Sequence, residues 1–171
     1  MSHMNLVLAV LRVGLGVSIA LHGYNKVRNG IGGTARWFES IGMRPGKLNA
    51  MLAAGTEIGG GAMFALGLFT PVAAAAIIGL MAVAYWVAHK DNGFFIFNKD
   101  QGWEYVFVIG IAALVVGGIG PGEWSVDHLV GFGTQGLYTS WWGVGITLIG
   151  GIGGALAQLA TFYRPPVKTT V

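Results

Sequence analysis

Five long apolar runs, each bounded by polar or helix-breaking residues, leave this 171-residue chain few ways to fold. A helix that crosses a bilayer needs about 20 mainly apolar residues. Runs near that length occupy roughly residues 5–27, 48–69, 71–89, 103–118 and 141–163. Charged residues make up only 10% of the chain and hydrophobic ones 54%, whereas a soluble domain carries about 25% charged residues. Too few polar side chains exist to cover a water-facing globule. The expected fold is all-α and integral to the membrane: a four-helix transmembrane bundle with a fifth, C-terminal transmembrane helix.

The boundaries follow from the breakers. Residues 1–4 read as a cloning remnant, residues 5–130 as the four-helix membrane domain, and residues 131–171 as the end of an outer loop, the extra helix and a short tail. Between the first two spans, Ala35 to Ile41 is amphipathic and is expected to lie in the interface with Trp37 at headgroup level. Thr70-Pro71 separates the second and third spans, with Thr70 as the expected N-cap and Pro71 opening the helix. So short a connection makes those spans an antiparallel hairpin. Gly120-Pro121-Gly122 ends the fourth span, and a polar, aromatic stretch runs from Glu123 to Tyr138.

Charge sets the expected orientation. Arg12 sits inside the first span. The other nine basic residues are Lys26, Arg28, Arg36, Arg44, Lys47, Lys90, Lys99, Arg164 and Lys168. With five spans all nine fall on one side, and the opposite side carries none. Cytoplasmic loops of membrane proteins are enriched in Lys and Arg. The chain is therefore expected in the cytoplasmic (inner) membrane, N-terminus outside and C-terminus in the cytoplasm. The same basic loops account for the net charge of +3, so no nucleic-acid partner is expected.

Several chemistries are excluded. The chain has no Cys, which removes thiol exchange, iron–sulfur clusters and Cys-ligated zinc. It has no phosphate-binding Gly-rich loop ending in Lys-Ser/Thr, no strand-led dinucleotide fingerprint, no HExxH and no GxSxG. His22 and His89 would have to be deeper and aligned to hold haem, so neither metal nor haem is expected.

Ionisable side chains at membrane depth cost about 2.5–3.5 kcal/mol each to insert and tend to face the bundle interior. The candidates for a ligand-binding, quinone-binding or proton-handling site are Arg12, His22, Lys26, Glu57, His89 and Glu104. Arg12, His22 and Lys26 share one face of the first helix. Counting along the spans puts His22, Lys26, His89 and Glu104 in one depth band, with Glu57 between it and Arg12. Arg12 and Glu57 are the expected buried pair. Gly55 and Gly59 in the second span, and Gly150 and Gly154 in the fifth, have the spacing that lets membrane helices approach closely. The first pair suggests intrachain packing. The second suggests a protein partner or a second copy docking on the fifth helix.

An ordered set of residues resembles a known family. It comprises Arg12, then His22-Gly23-x-x-Lys26, Phe38 with Gly42-Met43-x-Pro45, and Glu57-x-Gly59-Gly60. Leu66-Gly67-Leu68-x-Thr70-Pro71 and Gly120-Pro121-Gly122-x-Trp124-Ser125-x-Asp127 follow. The pattern is similar to the DoxX/DoxD family of small multi-pass membrane proteins over about Leu6 to Leu129, and the fifth helix lies beyond it. The resemblance implies a four-helix core and a role linked to membrane redox, since DoxD-type proteins are the membrane subunit of a thiosulfate:quinone oxidoreductase. It leaves two expectations open. One is a membrane subunit of a redox system that binds a quinone or lipid in a polar pocket and works with a partner protein. The other is a non-catalytic membrane scaffold, chaperone or anchor.

Overall fold

The structure is a computed structural model that describes residues 2–132 and 140–165. The end of the polar loop at 133–138 and Lys168 in the tail lie outside the described residues. Among these residues the chain is all-helical, with one isolated bridge between Met43 and Tyr163 and no strand. The helices are α1 (Ser2–Arg28), α2 (Ile31–Ser40), α3 (Gly46–Leu66), α4 (Thr70–Ala84), α5 (Glu104–Ile119), α6 (Val126–Leu129) and α7 (Ser140–Phe162). A single π turn, Tyr85–His89, continues α4. Three segments are long and apolar enough to cross a membrane, His3–Arg28, Thr70–His89 and Trp141–Phe162, and Glu104–Ile119 is a shorter apolar helix. α3 is 21 residues long, but its Lys47, Glu57 and run of glycines dilute its apolar character.

α1 shows why this chain belongs among lipids. Its buried stripe is Asn5, Leu8, Arg12, Gly16, Ile19 and Gly23, at spacings of three or four. Its exposed stripe is Val10, Val13, Val17, Leu21 and Tyr24. The costly polar groups face protein and the aliphatic side chains face outward, which is the arrangement hydrocarbon surroundings demand.

The buried stripe packs antiparallel on α3 through glycine. A Cβ on Gly16 would lie 2.5 Å from the Gly61 carbonyl oxygen, and one on Gly61 would lie 2.6 Å from that of Gly16. Seven residues on, a Cβ on Gly23 would meet the Ala54 carbonyl oxygen and the Glu57 Cβ at 2.8 Å. Gly55 and Gly59 do not make this contact: a Cβ on either meets nothing within 4 Å. They lie on the other side of α3, because the two positions from Gly59 to Gly61 turn the helix by about 200°.

α7 is built into the bundle and is not an appendage to it. It packs on α4, where a Cβ on Gly151 would lie 2.8 Å from Ile78 and one on Gly79 would lie 3.1 Å from the Gly151 carbonyl. Thr147, fully buried, fills the space left by Gly117 of α5 and donates to the Pro71 carbonyl at 3.3 Å. Gly150 lies against Ala75, and Gly154 has open space where a Cβ would stand. At the far end of α7, the Arg44 amide donates to the Phe162 carbonyl and the Arg164 amide to that of Gly42. α2 lies beside this end, with Ala35 and Phe38 buried in the cluster around Met43, Ala50 and Val83, and with Trp37 exposed.

The bundle therefore has two distinct ends. One gathers the C-terminus of α1, α2, the start of α3, the π turn, the start of α5 and the end of α7. It holds every described Lys and Arg except Arg12. The other gathers the start of α1, the α3–α4 turn and α6.

Candidate functional site

The first-helix side chains lean according to a simple rule: the Cα–Cβ bond of a helix tilts toward its own N-terminus. On α1 that tilt carries Arg12 toward the α6 end. On antiparallel α3 it carries Glu57 the opposite way. The Gly16–Gly61 crossing puts Glu57 level with residue 20 of α1, about 12 Å along the axis from Arg12. The expected Arg12–Glu57 pair therefore does not form. Glu57 instead accepts two hydrogen bonds from Lys26 Nζ, at 2.5 and 2.6 Å. Lys26 leans back into the bundle and its ammonium is not at the surface with its stem alone buried. The side chains of the pair are 23% and 10% exposed, so each charge depends on the other.

Arg12 belongs to a clasp at the opposite end. It is fully buried. Nη2 donates to the Trp124 carbonyl at 2.6 Å and Nη1 to that of Ala65 at 3.4 Å. The guanidinium occupies the place where residue 67 would carry a side chain, which Gly67, at φ 64°, leaves free. Asp127, also fully buried, accepts from the amides of Phe69 and Thr70 at 2.8 and 2.9 Å and from the Thr70 hydroxyl at 2.7 Å. It thereby satisfies the free amides that open α4. Thr70 is thus not the N-cap, as its position suggested. Phe69 stands at that position in the left-handed region, and a carboxylate from 57 residues away does the capping. Asn5 completes the clasp by donating to Glu123 at 2.7 Å.

The polar groups of the other end converge on a cavity. Its volume is about 800 Å³, and it is lined by residues of α1, α2, α3, α4, the π turn, α5 and α7. His22, Lys26, Glu57 and His89 all border it. Arg12 and Glu104 do not. Glu104 holds the preceding loop, accepting from the Ile96 amide at 3.1 Å. Most of the wall is apolar, from Ile19, Phe38, Leu80, Val83 and Ile109 among others. Gly150 and Gly154 of α7 also border the cavity. Both glycines are also exposed at the surface of α7.

Three polar contributors went unread in the sequence. Tyr105, the second residue of α5, reads there as one aromatic among several near the helix ends. Here its hydroxyl lies 2.7 Å from His89 Nε2, and both residues line the cavity. Gln101 takes His89 Nδ1 on its carbonyl oxygen at 2.9 Å. Gln158 of α7 reaches Asn49 at 3.3 Å. The one legible hint was Trp103-Glu104-Tyr105 opening an apolar helix within reach of a histidine that closes the previous one. Among the described residues no cluster of three or more His, Asp or Glu could hold a metal ion.

The shape of the cavity matches small-molecule sites, which are about 300–1,000 Å³, mostly apolar, with a few convergent polar groups. The apolar wall suits an aromatic ring or an acyl chain. Lys26 has three N–H groups, of which two go to Glu57, leaving one for a ligand oxygen.

In comparison with known proteins, the family model described as DoxX matches residues 7–90. That stretch runs from α1 to the end of the π turn and contains Arg12, His22, Lys26, Glu57 and His89. No curated protein and no solved structure matches the chain.

Proposed function

Residues 7–90 are a DoxX domain, and from that premise we propose that the protein is the membrane subunit of a redox system, binding a quinone-class or lipid headgroup in its cavity and working with a partner protein. The reading takes the chain as five transmembrane crossings in the cytoplasmic membrane, with the basic end in the cytoplasm. The single observation that carries it is the cavity itself: about 800 Å³ of mainly apolar space in which His22, Lys26, Glu57, His89 and Tyr105 supply the polar edge. A quinone head fits such donors and acceptors, and when bound it supplies two-electron redox chemistry. Lys26, held by Glu57, offers a donor to a ring oxygen. The apolar wall keeps water from the ring. Electrons come from the partner, because the chain's own residues include no redox-active thiol. The exposed face of α7, with Trp141, Trp142, Ile149 and Leu156, is the surface proposed to receive that partner or a second copy.

The test fills the cavity without disturbing the helices. Gly154 borders the space and has nothing within 4 Å of where a Cβ would stand. Gly154→Leu is expected to weaken binding of decylubiquinone or its reduced form to the purified protein at least about tenfold, which is about 1.4 kcal/mol, while the melting temperature in detergent holds. Unchanged affinity for both forms would remove the cavity from consideration as their site.

A further inference from the structure

The hydrogen-bond chain at one corner of the cavity has a direction. His89 Nδ1 lies 2.9 Å from the Gln101 backbone carbonyl. A carbonyl oxygen only accepts, so Nδ1 carries the proton. Neutral imidazole then has its lone pair on Nε2, and the Tyr105 hydroxyl 2.7 Å away donates to it. The backbone enforces this choice. Asn92, which also donates to the Gln101 and Asp100 carbonyls at 3.1 and 2.8 Å, ties that loop to the end of the π turn. The carbonyl is therefore held in place opposite Nδ1.

The consequence concerns what Tyr105 can offer a ligand. Its one proton is committed to His89, so the phenol oxygen presents only lone pairs to the cavity. Building on the reading of the cavity as a ligand site, we infer that this corner selects a ligand that brings its own O–H proton, and so prefers the hydroquinone form of a quinone-class ligand to the oxidised, carbonyl form. A carbonyl oxygen placed here would face another acceptor. To donate to it, Tyr105 would have to turn from His89 and give up its bond to Nε2, a mismatch of order tenfold in affinity.

The same chain can take up the ligand's proton. The ligand O–H bond breaks as its proton passes to the Tyr105 oxygen, and the Tyr105 proton passes to His89 Nε2. The ligand oxygen becomes an anion and His89 an imidazolium with both N–H groups already bonded. Net charge is conserved and no electron moves in this step. Tyr105 meets the ligand, and His89 acts through it.

The experiment measures binding of decylubiquinol and decylubiquinone to the purified full chain by equilibrium dialysis under argon. The reduced form is expected to bind about tenfold tighter or more. Tyr105→Phe, which removes one oxygen, is expected to bring the ratio near one while leaving affinity for the oxidised form in place. A purely structural link between α5 and the π turn would instead change the melting temperature, or both affinities alike, and leave the ratio standing. Equal binding of the two forms by the wild-type chain, or tighter binding of the oxidised one, overturns the inference but keeps the cavity as a site. So does a ratio that survives Tyr105→Phe. Binding of neither form overturns the cavity reading together with it.

Discussion

Asp127 and Arg12 show how a single buried charge is made affordable. Asp127 is wholly buried, yet its two oxygens accept three hydrogen bonds from the opening turn of α4. The helix N-terminus adds its own positive partial charge, and Arg12 lies close by in the same clasp. Asp127→Ala strands two amides and a hydroxyl away from water. Losing a cap costs about 1 kcal/mol and each unsatisfied buried donor about 1–3 kcal/mol, partly relieved where Thr70 can turn. The expected loss is about 3 kcal/mol in denaturant-monitored unfolding in detergent, with cavity binding changed little because the clasp lies at the opposite end. Polar identity was legible at this scale and pairing was not. Arg12, Lys26 and Glu57 announce themselves as charges in apolar runs. Which of them meet depends on the level at which α1 and α3 cross, set by Gly16 and Gly61, and on the opposite lean of side chains on antiparallel helices.

At the scale of elements, close approach replaces the hydrophobic effect as the means of association, since lipid is as apolar as leucine. The α1–α3 crossing places backbone against backbone at Gly16 and Gly61. Gly16→Leu must push the helices apart, and a loss of about 3 kcal/mol is expected. Gly55→Leu points into open space and is expected to leave the melting temperature within a degree or two; thermal unfolding of the two variants side by side makes the comparison. The long helices, the breaks between them and the amphipathic α2 were readable from period and length. Glycine spacing was not enough to tell a packed face from a bare one, because the GxxxG of α3, Gly55 to Gly59, lies on the bare side while Gly61 packs without such a partner. Gly16 and Gly23 could have been found by a different route: they alternate with Arg12, Ile19 and Lys26 at three and four, so the polar residues mark the buried stripe. The role of Tyr105 had no such marker, since nothing in the sequence relates α5 to the end of α4 in rotation.

For the whole molecule the bundle is a polarised object. One end carries the cavity, the Lys26–Glu57 pair and the described basic residues other than Arg12, and the other carries the clasp and no Lys or Arg on its described loops. The positive-inside rule turns that asymmetry into the proposed orientation, in which the cavity end would meet the cytoplasmic leaflet and the proposed partner would work at that face or along α7. The chain contains no cysteine, so each single-cysteine variant reports one position without background. Lys99 lies in the loop before α5, and Leu129, 82% exposed, lies at the end of α6 beyond it. Lys99→Cys and Leu129→Cys, treated with a membrane-impermeant maleimide, are expected to label oppositely. Leu129→Cys reacts in intact spheroplasts, and Lys99→Cys reacts only after the membrane is opened. The reverse pattern would invert the orientation. Labelling of both positions in intact spheroplasts would mean that α5, only 16 residues long, does not cross the membrane, and an even number of crossings would then separate the two termini from the arrangement the charges favour.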